Sequence, residues 1–123
     1  MRGAEKMNKN HDIILEFSNE VKRIFGSKLK KVILYGSYAR GDYKADSDID
    51  IMILTTFTDE EIENVENVIY DLAFDFQMRY LVDINVIIKN EEQFNYWLGA
   101  LPFYDNVQRE GIILNGCYAD LFE

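Results

Sequence analysis

Residues 36–54 read Gly36-Ser37-Tyr38-Ala39-Arg40-Gly41-Asp42-Tyr43-Lys44-Ala45-Asp46-Ser47-Asp48-Ile49-Asp50-Ile51-Met52-Ile53-Leu54, and this stretch decides how the rest of the chain is read. A Gly-Ser pair is followed by ten mostly polar residues and then by an apolar run with aspartates at its mouth. The run from Ile49 to Leu54 is too apolar for a half-solvated strand and predicts a buried one. Immediately before the Gly-Ser pair, Lys31-Val32-Ile33-Leu34-Tyr35 is short and β-branched, which predicts another strand closed by Gly36. The connection between the two is too short for a helical crossover, so they should pair antiparallel and bring Gly36-Ser37 to the edge where Asp48 and Asp50 begin.

Working outward, Asn10 stands as a candidate N-cap for a helix with Ile14, Phe17, Val21, Ile24 and Phe25 on one face, stopped by Gly26. Residues 1–9 carry no pattern and are expected to form a loose end. On the other side, Thr58 and Glu61 form a capping box and Phe57 and Ile62 a hydrophobic staple. The helix they open shows Ile62, Val65, Ile69, Leu72, Ala73 and Phe76 on one face, to about Tyr80. A third strand over 82–88 follows; a helix of this length before it favours a parallel crossover, with Asp83 beside the start of the second strand. Asn90 can cap a further helix with Phe94, Trp97, Leu98 and Leu101, which Pro102 interrupts or ends. Residues 103–110 suit a short helix, and 111–114 a last strand or an apolar tail on the sheet. Tyr35, Phe94, Trp97 and Phe103 have the spacing of core residues. The fold class is α/β (α+β): a mixed sheet of three to four strands with helices packed against it, one domain over 1–123.

Composition narrows the function. The 123 residues hold 13 Lys and Arg against 22 Asp and Glu, a net charge of −9, so nucleic acid is a poor partner. One histidine, His11, and one cysteine, Cys117, cannot build a zinc site or a disulfide within one chain. No apolar run has the length of a membrane span and the start of the chain is polar, which points to a cytoplasmic location and no membrane partner. Ser37 lacks both the Gly-x-Ser-x-Gly setting and a histidine partner, so a hydrolase nucleophile is excluded. Asp46, Asp48 and Asp50 alternate like a calcium loop, but Ile51 and Phe57 occupy the places of its glycine and its bidentate glutamate. What remains is Asp48 and Asp50 projecting from one face of a strand, about 7 Å apart along the backbone. Asp83 should converge on them. Carboxylates so placed repel one another, and a hard divalent cation such as Mg²⁺ relieves that cost in a shell that also accepts phosphate. Gly36 permits close approach of a phosphate, Ser37 adds a hydroxyl and Arg40 a positive charge within loop reach.

Gly36-Ser37, ten residues, Asp48-Ile49-Asp50 and then Asp83 in a later strand resemble the signature of the DNA polymerase beta-like nucleotidyltransferases. Within that superfamily the whole stretch on so short a chain resembles the minimal nucleotidyltransferases, or MNT proteins, the antitoxins of HEPN/MNT toxin-antitoxin pairs. The resemblance implies the polymerase beta-like fold, two Mg²⁺ ions, ATP as substrate and transfer of a nucleoside monophosphate to an acceptor hydroxyl with release of pyrophosphate. It gives Gly36 and Ser37 the phosphate-holding role, Asp48 and Asp50 that of metal ligands, and Asp83 that of a third carboxylate which helps deprotonate the acceptor. Many relatives carry Arg after Gly-Ser where this chain has Tyr38. The acceptor expected is a tyrosine of a HEPN toxin, in a hetero-oligomer with this chain as antitoxin. The alternative is a non-catalytic antitoxin that neutralises a HEPN RNase by binding it.

Overall fold

The structure is a computed structural model that describes residues 2–115; Cys117 lies outside the described residues. Helix α1 (Arg2–Phe25) leads through a 3-10 turn into strand β1 (Leu29–Tyr35) and the one-turn helix α2 (Ser37–Arg40). Strand β2 (Ile49–Thr55), helix α3 (Asp59–Tyr80) and strand β3 (Ile84–Asn90) follow, then α4 (Glu91–Trp97), α5 (Pro102–Glu110) and the two-residue strand β4 (Ile112–Ile113). The sheet order is β3-β2-β1-β4. As the short connection requires, β1 and β2 pair antiparallel, with Tyr35 opposite Asp50. The α3 crossover makes β2 and β3 parallel, with Ile49 opposite Ile84 and Asp50 opposite Asn85.

Alternation along β2 sorts the core into two layers. Ile49, Ile51 and Ile53 join Ile14, Phe17 and Val21 of α1 and Ile69 and Phe76 of α3 in the larger one. Phe17 and Phe76 meet edge to face, with ring centroids 5.2 Å apart. Met52 and Leu54, on the opposite face, pack with Ile33, Phe94 of α4 and Val107 of α5. Buried on both faces, β2 is the central strand its unbroken apolar run predicts.

The capping box forms as the sequence indicates: Thr58 Oγ1 accepts from the Glu61 amide at 3.2 Å, and Glu61 Oε1 accepts from the Thr58 amide at 3.1 Å. Three expectations give way. Helix α1 starts at Arg2, not Asn10, because Ala4, Glu5, Lys6, Met7 and Lys9 favour helix and nothing breaks it; the loose end expected over 1–9 is helical from Arg2. Asn10 is therefore not a cap but a buried side chain. Helix α4 ends at Trp97, before Pro102, which instead starts α5 at its first position. Of the aromatics expected in the core, Phe94 is buried, whereas Trp97 and Phe103, at the ends of these two short helices, are 40 % and 42 % exposed. At the far end of α3, Leu81 has φ 56° and ψ 43°, a left-handed conformation that costs a non-glycine residue roughly 1–2 kcal/mol.

Candidate active site

The end of β1 and the start of β2 form one corner. Gly36 has φ 76° and ψ −153°, backbone that L side chains rarely adopt, and a Cβ there would overlap the carboxylate of Asp50. The conformation requires glycine, and a side chain there would also have to push the Asp50 carboxylate aside. The bend sends the chain into α2, so Gly36, Ser37 and Arg40 line, together with Asp50, a cavity of about 400 Å³. Tyr35 and Phe103, edge to face at 5.7 Å, wall its other side. Arg40 meets Asp42 at 3.2 Å and Glu110 at 3.5 Å, so α2 and α5 are linked across the cavity rim. Those hydrogen bonds and charges raise the Arg40 pKa further, and the guanidinium stays charged.

Asp48 and Asp50 come together on one face of β2, and a residue the sequence reading passed over holds them. The Asn85 amide donates to Asp48 Oδ2 at 3.0 Å and to Asp50 Oδ1 at 3.3 Å. Asn85 lies opposite Asp50 in the parallel register, which the sequence alone does not set. Burial raises the Asp50 pKa, with the Asn85 hydrogen bond opposing and the Asp48 charge adding to the rise. Burial, and then Asp50, push the Tyr35 phenol to about 12.

Asp83 departs from the expected convergence. Its carbonyl accepts from the Ile49 amide at 2.8 Å, so its backbone lies beside the start of β2 as foreseen. Its position, however, precedes the first paired residue of β3, and it lines a second cavity of about 350 Å³ with Asn10, Tyr38, Tyr80 and Leu81. Among the described residues no three His, Cys, Asp or Glu side chains are grouped to hold an ion. The left-handed turn at Leu81, invisible to strand periodicity, leads the chain in before regular pleating starts. Tyr38 also belongs to this second side: its hydroxyl accepts from Asn10 Nδ2 at 3.0 Å, and its ring stacks on Tyr43 at 4.2 Å. The position where relatives carry Arg is thus tied toward α1. Asp48 and Asp50, two hard oxygen donors bridged by one amide, have the donor chemistry to fit a divalent metal ion.

The nucleotidyltransferase domain family matches residues 14–113. Two proteins of Methanocaldococcus jannaschii, provisionally named protein adenylyltransferases, are 42 % and 39 % identical over 101 residues, 82 % of this chain and 93 % and 94 % of theirs. Among solved structures, a toxin-antitoxin with AMP-PNP superposes with a TM-score of 0.54 at 22 % identity, over 86 % of this chain and 76 % of that one. A provisionally named nucleotidyltransferase from Sulfolobus solfataricus gives 0.54 at 21 % identity, over 92 % and 86 %. These two likenesses show the fold. Among the described residues no helix is long and apolar enough to cross a membrane.

Proposed function

The chain belongs to the nucleotidyltransferase domain family, and from that premise we propose that it is a protein adenylyltransferase, moving AMP from ATP to a tyrosine hydroxyl of a HEPN toxin and acting as the antitoxin of that pair. The observation that carries the reading is the Gly36–Asp50 corner: a glycine that only a glycine can replace, facing a partly buried carboxylate beside a cavity of nucleotide size. The names of the curated relatives support a protein as acceptor.

In this reading Gly36 and Ser37 cradle the phosphates and Arg40 exchanges Asp42 and Glu110 for phosphate oxygens. Asp48 and Asp50, with Asp83 as the third carboxylate, would hold the two Mg²⁺ ions, which would supply charge stabilisation at the transferring phosphate. The acceptor oxygen bonds to the α-phosphorus, the bond from that phosphorus to the β-bridging oxygen breaks, and pyrophosphate leaves. The acceptor's proton passes to Asp83, whose backbone lies beside the start of β2 and which lines the neighbouring cavity. The placement of Asp83 outside a three-carboxylate group is also what favours the second reading, an antitoxin that neutralises its partner by binding alone.

Mass spectrometry of a co-expressed HEPN partner separates the two. AMP additions that vanish with Asp48→Asn are expected; a partner left unmodified yet fully inhibited by both forms hands the case to binding alone.

A further inference from the structure

Helix α3 is apolar on a side that faces no core. Ile62, Ile69, Ala73 and Phe76 bury one face, while Tyr70, Phe74, Met78 and, one step beyond the helix, Leu81 are 46, 57, 63 and 88 % exposed. Spacings of four, four and three residues align them in one row about 16 Å long. Single exposed apolar side chains are ordinary, but an aligned row marks a contact surface. Leu81 is an independent sign. Glycine is the usual occupant of a left-handed position at a helix end, and a leucine there keeps the strain while presenting its side chain to water.

The charge around the row selects its occupant. Helix α3 carries seven acidic residues and a single basic one, Arg79. That arginine is already engaged by Asp75 at 3.0 Å and Glu16 at 4.0 Å. A second copy of the chain would set like charge against like, and nucleic acid or an anionic lipid surface would be repelled in the same way. We infer that Tyr70, Phe74, Met78 and Leu81 form the docking surface for an amphipathic helix of another protein, one whose apolar face is bordered by Lys and Arg. Leu81 stands two residues from Asp83, so a docked chain lies at the mouth of the cavity that Asp83 lines. This last placement alone rests on the transferase reading, because it brings the partner's acceptor hydroxyl to the acceptor-side carboxylate.

Two synthetic helical peptides of about 18 residues, five turns, share one leucine row; one is bordered by Lys and the other by Glu. Each is titrated into the full ¹⁵N-labelled chain. The Lys-bordered peptide is expected to shift amide signals of residues 66–83 and to bind about tenfold or more tighter than its Glu-bordered twin. The double variant Phe74→Ser/Met78→Ser, with charge unchanged, should weaken it by a similar factor, and Leu81→Ser serves if the double variant does not fold. Equal binding by the variants, equal binding by the two peptides, shifts centred elsewhere, or no binding overturns the proposal. So does concentration-dependent dimerisation that the variants abolish, which would make the occupant a second copy. The transferase reading fails separately, if the wild-type chain shows no thermal response to Mg²⁺ and ATP.

Discussion

Two strand openings lie side by side in this protein and are built differently. At the mouth of β2, Asp48 and Asp50 are held by an amide from β3, and Gly36 packs against Asp50. At the mouth of β3, a backbone hydrogen bond to Ile49 fixes Asp83, which is exposed and lines an open cavity with Leu81, a leucine in a strained turn. The first opening is organised before any ligand arrives, as a site for a small rigid substrate should be. The second is left to be completed, which suits an acceptor that brings its own surface.

The sharpest way to break this contrast is Gly36→Ala. Strain at positive φ costs about 1–3 kcal/mol, and the new methyl displaces Asp50, so the melting temperature should fall by several degrees and the response to Mg²⁺-ATP should disappear. Gly41→Ala, at a positive φ with open space around it, should keep that response. Thermal scans with and without ligand compare the two.

Asp48→Asn and Asp50→Asn come next. At a ligand concentration a hundred times Kd, binding stabilises by about 2.7 kcal/mol, and either variant should lose this gain. Without ligand the sign reverses for Asp50. Its folded pKa is raised, so the folded state prefers the protonated form, and stability falls as the pH climbs through the carboxylate range toward neutrality. Asp50→Asn should therefore match or slightly exceed the wild type at pH 7 and flatten that part of the pH profile. A variant that loses stability yet still responds to Mg²⁺-ATP would remove Asp50 from the site.

Asp83→Asn probes the second opening. Its exposed side chain predicts a change in stability within about 0.5 kcal/mol, and its acceptor-side role predicts a larger drop in kcat than in nucleotide affinity. Calorimetry beside single-turnover transfer checks this; equal losses would assign Asp83 to metal retention. The smallest effect belongs to Leu81→Gly, which relieves the left-handed strain and should raise stability by up to about 1 kcal/mol, measured by urea unfolding.

Much of this was legible in the chain. The capping box, the unbroken apolar run of β2 and the connection lengths are local signals, and they yield the strand directions without coordinates. They also place Gly36, Ser37, Arg40, Asp48 and Asp50 at one edge. Asn85 escaped because a lone amide in a strand signals nothing until the register sets it opposite Asp50. That Asp83 stands just before the first paired residue of β3 and lines a second cavity escaped because periodicity does not fix where a strand begins. Asn10 was misread since capping and burial use the same amide, and only the helix upstream of it decides between them.

The amide bridge also orders events in time. Asn85 reaches Asp48 and Asp50 across 37 and 35 residues of chain, and only after α3 has formed and folded back to lay β3 along β2. Non-local parallel pairing is among the slower steps of folding, while hairpin-like contact between β1 and β2 comes early. A nascent or partly unfolded chain can therefore own the Gly-Ser turn and both aspartates without owning a working site. Competence arrives with the last strand of the crossover, and a one-residue slip of that strand would turn Asn85 to the other face and undo it.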